Sequence, residues 1–488
     1  MSSYEEIKNE RIKKRDILIN SGINPYPSKR EKTHSVLQFK TNFDKLIKRN
    51  ETISLSGRVT SVRQHGGSVF IDLFDSGEKA QCFISKGEIG EEQFKMLLDT
   101  LDIGDFAQMK GLPFYTKRGS FALKVKEWLI LTKSLQAIPD SYYGLQDDDE
   151  RYRKRYLDIL LDLEKRNLFI LKARFWDAVR NFMKKHDFLE VETPTLEITT
   201  GGAEARPFKT YHNDYDLNVY LRISVGELWQ KHLMAAGYEK TFEIGRVFRN
   251  EGTSPEHLQE FTNMEFYWAY ADYRDGMSLV KDMYITIANE VFSTTKFSAR
   301  GHEFDLADEW VEIDYVQEIK DQIGVDVINT SSEELVNVLR KLEVVYAGDT
   351  RERLIDTLWK YCRKQISGPA FLVNHPKIVA PLAKTIPGTE TVEMFQPILA
   401  GSEVGRGYSE LNDPIEQKER FVVQQALLDS GDEEAMMPDW EFVEMLEYGM
   451  PPTCGYGFGE RLFSFLAGLP IRETQIFPLM RPKNNKNS

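Results

Sequence analysis

Between Ile53 and Thr132, apolar and polar residues alternate in short runs: ISLSGRVTSVR, SVFIDLFD, EKAQCFIS, DFAQMKGLPFY and SFALKVKEWLILT. A period of two puts successive side chains on opposite faces of a strand, so each run predicts a strand with one buried face. EEQFKMLLDTL, between the third and fourth runs, has a helical period instead. Five strands with a helix after the third is the layout of an OB-fold barrel, a fold that binds single-stranded nucleic acid by aromatic stacking and edge contacts. From about Glu164 to His186 the period changes to that of a helix, with Leu168, Leu171, Phe175, Val179 and Phe182 on one face, and FLEVETP follows as a strand ended by proline. TFEIGRVFRN and EFTNMEFYWAYA predict a strand, a loop marked by Gly252, Ser254 and Pro255, and a returning strand. In the second strand Phe261, Asn263, Glu265 and Tyr267 share one face; Met264, Phe266, Trp268 and Tyr270 form an apolar opposite face.

Punctuation divides the chain. Tyr4 to Asn20 predicts a helix stopped by Gly22, Pro25 and Pro27. SLQAIPDSYYGLQDDDE followed by RYRKRYLD reads as a hinge, with a boundary near Asp140. The expected organisation is a basic helical extension over 1–50, a barrel over 51–139, a hinge over 140–160 and a larger domain over 161–488. Residues 274–374 read as an insertion with no recognisable chemistry.

Composition changes this picture little. The net charge of −13 argues against a protein coated by nucleic acid, yet residues 1–50 carry twelve Lys and Arg against six Asp and Glu. That excess is either a solvated helix face or a handle for RNA phosphates. Cys82, Cys362 and Cys454 are far apart and lack zinc spacing, which predicts structural thiols in a reducing compartment. No run is long and apolar enough for a membrane helix, and the charged N-terminus does not read as a signal peptide, so the expected location is the cytoplasm.

Chemistry concentrates in the strand–loop–strand. Glu265 on a largely apolar sheet needs a partner, because a buried unpaired charge is costly. Arg249 and Glu251, two apart at the end of the first strand, are either an ordinary ion pair or part of a ligand site. FRNEG, the loop holding His257, and EFTNMEFYWAYADY resemble motif 2 of the class II aminoacyl-tRNA synthetases, and in particular the lysyl enzymes of that class. The helix, strand and Pro194 resemble motif 1, the family's dimer interface, and PPTCGYGFGERLFSFLAGLPIRETQIFPLMRP resembles motif 3. The barrel is similar to the anticodon-binding domain shared by the aspartyl, asparaginyl and lysyl enzymes.

The resemblance implies an α+β chain: an N-terminal OB-fold β-barrel plus a class II catalytic domain on an antiparallel sheet flanked by helices, working as a homodimer. It implies ligation of L-lysine to tRNA(Lys) through a lysyl-adenylate, with ATP as substrate and Mg²⁺ as cofactor. For ATP it implies Arg249 on the α-phosphate, Glu251 reading and Phe261 stacking on the adenine, His257 in the triphosphate loop, and Arg461 on the γ-phosphate. For lysine it implies the carbonyl of Gly202 on the α-ammonium, Glu227 and Glu265 around the cationic groups, and Glu410 with Tyr267 on the ε-ammonium. Glu403 corresponds to a metal carboxylate. Arg63, Phe70 and Gln81 correspond to residues holding the central anticodon base, and Glu127 to one reading another base.

The chain departs from the family pattern in places. Gln396 stands where a second metal carboxylate is usual, which predicts fewer tightly held Mg²⁺ ions, and Arg406 stands where asparagine is usual. Glu256 and Leu258 flank His257 in place of arginine and asparagine, Val225-Gly226 lengthens a loop by one residue, and motif 3 is one residue short. Glu403 and Glu410 are seven apart, which on strict alternation places them on opposite faces, so a bend is expected at Gly405 or Gly407. Rival readings are an aspartyl or asparaginyl enzyme, a paralogue that attaches lysine to a protein, and an inert RNA-binding or regulatory protein of the same fold. The acidic trio Glu227, Glu265 and Glu410 argues against aspartate.

Overall fold

The computed structural model describes residues 2–139, 145, 147–203, 205–252, 254–346, 348, 350–430 and 435–483. Two compact units divide it, Met1–Asn167 and Leu168–Ser488. The boundary expected near Asp140 lies outside the described residues; of the expected hinge, residues 148–153 and 155–161 are helical.

In the first unit β1 (Ile53–His65), β2 (Ser68–Asp75), β3 (Glu78–Ser85), β4 (Phe106–Tyr115) and β5 (Phe121–Thr132) close a barrel in the order β1-β2-β3-β5-β4. The alternation read from the sequence is the cause: Val69, Ile71 and Leu73 of β2 are fully buried inside, while Phe70 and Asp72 face out. Helices Lys86–Ile89 and Glu91–Thr100 follow β3, as expected of an OB-fold. The N-terminal helix, Ser2–Asn20, buries Leu18 against the barrel core. Arg11 is spent on the same packing, donating to the carbonyls of Ile103, Ser134 and Gln136, and Lys14 pairs with Asp102 at 2.6 Å. Two cations of the basic extension therefore serve the fold. Helices Val36–Thr41 and Phe43–Arg49, absent from the sequence reading, bury Val36, Phe39, Phe43 and Leu46; a Ser35–Gln38 capping box starts the first.

The second unit is built on a nine-stranded sheet. Its strands in chain order are β6 (Leu189–Glu190), β10 (Lys240–Phe248), β11 (Glu260–Ala269), β14 (Val311–Asp314), β15 (Ala370–Pro376), β16 (Thr391–Leu399), β17 (Ser402–Glu403), β18 (Arg406–Ser409) and β19 (Thr453–Gly459). The missing numbers are β7 (Leu196–Glu197), β8 (Lys209–His212) and β9 (Leu217–Leu221), which form a small separate sheet, and the hairpin β12 (Lys296–Ala299) and β13 (His302–Asp305). Spatial order is β14-β15-β16-β18-β19-β11-β10-β6, with β17 beside β16. The expected antiparallel sheet holds in the centre, but both edge pairs, β14–β15 and β6–β10, are parallel, so the sheet is mixed. The helix Leu163–Lys185 lays Phe175, Val179 and Phe182 on one face of this sheet, with the Phe175 ring 5.4 Å from Phe463. Met264 and Phe266 join that core, whereas Tyr270, expected on the same face, lies past the strand end and is exposed.

The reading of residues 274–374 as free of chemistry is corrected. This segment supplies β14 and β15 to the sheet, and its helix Arg351–Cys362 brings Asp356 and Lys360 to the wall of the main cavity. Among the described residues no helix is long and apolar enough to cross a membrane.

Candidate active site

One cavity of about 470 Å³ opens on the face of the sheet formed by β11, β18 and β19. Every residue that the sequence placed around ATP, lysine or metal lines it: Gly202, Glu227, Arg249, Glu251, His257, Phe261, Glu265, Tyr267, Glu403, Glu410 and Arg461. Period two explains the β11 set, since Phe261, Asn263, Glu265 and Tyr267 all point into the cavity and their neighbours into the core. An irregularity stands where a bend was expected: the register against β16 slips by one residue between Glu403, opposite Ile398, and Gly407, opposite Phe395, and Glu403 and Glu410 both reach the cavity. Gly455 of β19 is required there, since a Cβ would lie 2.1 Å from Glu410 Oε1.

The two ends of the cavity differ in charge. At one end Arg249 donates from Nε and Nη2 to the carbonyl of Ile223, and its guanidinium lies 5.3 Å from the Phe261 ring centroid. Arg461 starts the helix Arg461–Leu466 and donates to the carbonyl of Glu403. Just before it Glu460 is fully buried, 2.6 Å from Lys172 of the long helix and held by Gln475, which fixes the backbone that carries the arginine. Lys360, Arg363 and Arg406 also line this end. Burial lowers the pKa of the His257 imidazole, and Arg461, Lys360, Arg249 and Arg363 lower it further. Such a concentration of cations in a half-enclosed cavity suits a polyanion. Glu256, the unusual loop acid, pairs with Arg300 of the β12–β13 hairpin and approaches Arg461 at 3.4 Å. Arg300, Lys360 and Arg363 were not anticipated; nothing in their spacing distinguishes them from other charges of the segment 274–374.

The other end is acidic. Glu265 accepts from the Val225 amide at 2.8 Å, from Asn263 at 3.0 Å and from the Tyr267 hydroxyl at 3.2 Å. The extra residue Gly226 has φ +64 and starts the helix Glu227–Ala235, whose first residue, Glu227, turns into the cavity and accepts from Tyr408. Lys231, one turn later, is almost fully buried, 2.9 Å from Glu227 Oε1 and 2.6 Å from Glu410 Oε2. Oε1 of Glu410 is buried without a partner. Burial and Glu227 push the Glu410 carboxyl up to about 8 against the pull of Lys231, and burial with Glu227 pushes Glu265 up to about 7. Gly202 has φ +85 and lies so close to Glu227 that a Cβ would meet its Oε2 at 2.5 Å. Lys231 and Tyr408 were missed by the sequence reading, although Lys231 is four residues from Glu227 and so on the same helix face.

A metal finds limited support in these residues. Glu403 accepts from Trp359 at 2.6 Å and pairs with Arg363 at 3.2 Å; although burial opposes it, these partners hold its carboxyl below the usual range. Gln396 Oε1 is 2.8 Å from His375 Nε2. No group of three or more His, Cys, Asp or Glu among the described residues is arranged to hold an ion. This set fits a Mg²⁺ ion that takes most of its oxygens from phosphates and water, with Glu403 as a single carboxylate, and does not fit a second ion held by protein.

On the barrel, Arg63 and Phe70 are directly opposite across β1 and β2, and Asp72 opposes Gln81 across β2 and β3. All therefore share the outer face, which rules out Phe70 as a barrel-core residue. Arg63 makes a forked pair with Asp72 at 2.8 and 3.0 Å. Glu127 is exposed on β5, opposite Lys110. Phe83, 5.0 Å from Phe70, and Phe114, 5.9 Å from Phe83, extend the aromatic band beyond what the sequence indicated.

Comparison with known proteins agrees with both halves. Residues 147–481 match the family of tRNA synthetases class II (D, K and N), and residues 53–131 match the OB-fold nucleic acid binding domain. With that sheet, those motifs and this barrel, the chain belongs to the class II tRNA synthetases. The lysine–tRNA ligase of Thermosipho africanus is 39% identical over 98% of this chain and 96% of its own length, that of Thermotoga maritima 38% over 98% and 97%, and that of a Roseiflexus species 39% over 98% and 99%. Within the class, the chain belongs to the lysine–tRNA ligase family. The expected family and fold are thereby borne out.

Proposed function

We propose that this chain joins L-lysine to tRNA(Lys) in two steps at the 470 Å³ cavity. In the first, an oxygen of the lysine carboxylate bonds to the α-phosphorus of ATP and the bond to the β-phosphate oxygen breaks, giving lysyl-adenylate and pyrophosphate. In the second, a hydroxyl of the tRNA's terminal ribose attacks the lysyl carbonyl and AMP leaves. Neither step needs a protein nucleophile. Arg249 grips the α-phosphate as its charge grows, Arg461 holds the γ-phosphate, Phe261 and Glu251 seat the adenine, and His257 contacts the triphosphate. Glu403 would hold Mg²⁺ brought in with ATP, which would neutralise charge on the phosphates. Gly202, Glu227 and Glu265 orient the amino acid, and Glu410 with Tyr267 meets its ε-ammonium.

The observation that carries this reading is the polarity of a single cavity: guanidinium groups gather at one end, and at the other a buried carboxylate has one oxygen ion-paired with Lys231 and neither in a hydrogen bond. Three carboxylates around the amino-acid end disfavour aspartate as a substrate. The outer barrel face supports anticodon reading by Arg63, Phe70, Gln81 and Glu127. Exposed Leu189, Leu196 and Ile198 near motif 1 support a homodimer, and the reading places the enzyme in the cytoplasm.

ATP–pyrophosphate exchange with each standard amino acid tests it. Lysine alone is expected to support rapid exchange. Glu410→Gln is expected to lower kcat/KM for lysine by roughly two to three and a half orders of magnitude, the worth of about 3–5 kcal/mol, with KM for ATP close to wild type. Preference for aspartate or asparagine, or near-normal lysine exchange by the variant, sinks the assignment.

A further inference from the structure

The amino-acid end of the cavity already holds an ammonium group, that of Lys231. Its Nζ lies between Glu227 Oε1 and Glu410 Oε2, with the ring centroids of Tyr408, Phe442 and Tyr267 at 5.5, 5.7 and 5.9 Å. Carboxylates on two sides and π-faces on the others make up a complete recognition site for a primary ammonium. The chain fills that site itself. Tyr408 also donates to Glu227 Oε1, so that oxygen is doubly engaged. Neither oxygen of the buried Glu410 has a hydrogen-bond partner, but Oε2 lies in the ion pair with Lys231 at 2.6 Å, so Oε1 is the one left open.

One free oxygen has a chemical meaning. A primary ammonium needs a single acceptor at a given carboxylate, whereas a guanidinium binds best when its planar fork meets both oxygens at once. With Oε2 held by Lys231, the fork has one acceptor where it needs two. We propose that Lys231 is the specificity-determining residue that makes this cavity accept a primary ammonium and refuse a guanidinium, by occupying one oxygen of Glu410 from within. Lys231 acts through Glu410 and is a positioning residue. The inference rests on the reading of Glu410 as the seat of the substrate's side-chain cation.

Exchange assays with lysine as substrate and arginine as competitor test it. In Lys231→Met the ratio of the arginine inhibition constant to the lysine KM is expected to fall by roughly tenfold to a hundredfold, the worth of one hydrogen bond to a charged group, with KM for ATP unchanged. Lys231→Arg keeps the charge but offers its own fork to both oxygens of Glu410, so kcat/KM for lysine is expected to fall steeply while KM for ATP and the melting temperature hold. An unchanged arginine-to-lysine ratio in Lys231→Met overturns the inference. If that variant is insoluble, wild-type lysine kinetics in Lys231→Arg overturn it equally. Failure of the wild type to exchange lysine at all sinks the underlying reading instead, so the two failures are distinguishable.

Discussion

Glu410 and Glu265 are buried together with Glu227 near the ammonium of Lys231, and burial with the neighbouring charge of Glu227 raises the pKa of both Glu410 and Glu265. The Glu410 carboxyl is pushed up to about 8, which favours its protonated form in the empty cavity as pH falls below that value. A substrate ammonium binds the ionised form, so binding must release that proton. The sign follows directly: as pH rises toward 8 the release becomes free of cost, and as pH falls below it KM for lysine rises, up to about tenfold per pH unit. Measured from about pH 6 to about pH 8, KM should fall with rising pH, and calorimetry in buffers of different ionisation heat should show proton release. A pH-independent KM and no released proton would mean that Glu410 is ionised throughout. Resemblance made Glu410 legible in the sequence, but not this titration, which depends on burial and on Glu227 arriving from another element, against the pull of Lys231.

The barrel strands show what an element encodes. Alternation alone assigns Ile71 to the inside and Phe70 to the outside, and the structure agrees. Phe70→Ala and Phe83→Ala should each lose roughly 1–3 kcal/mol of tRNA affinity in a binding titration while leaving ATP–pyrophosphate exchange untouched. Ile71→Ala should instead lower stability by roughly 2–5 kcal/mol in denaturant unfolding of the barrel. Equal loss of exchange in Phe70→Ala would remove that residue from the RNA face. Elements defined by local period, such as β1 to β5 and the helix Leu163–Lys185, were legible for this reason. β14 and β15 were not: their parallel pairing joins residues about sixty apart, and a four-residue strand leaves too short a pattern to read. Arg300 fails differently, because its meaning lies wholly in the distant acid it meets, Glu256.

At the scale of the whole chain, two compact units imply two cooperative transitions, and a ligand that binds one native unit stabilises that unit alone. Scanning calorimetry with ATP and lysine at about a hundred times their dissociation constants should raise one transition, by about 2.7 kcal/mol for each ligand, and leave the other in place. Equal shifts of both transitions would mean that the units unfold as one. Glu256, bridged to Arg300 and close to Arg461, bears on how such an enzyme turns over. An incoming triphosphate at Arg461 exchanges one anion for another and leaves no guanidinium bare, so the loop acid acts as a built-in competitor. On the proposed reading, its return would fill the place that pyrophosphate vacates, so that Arg461 is left with an anion beside it.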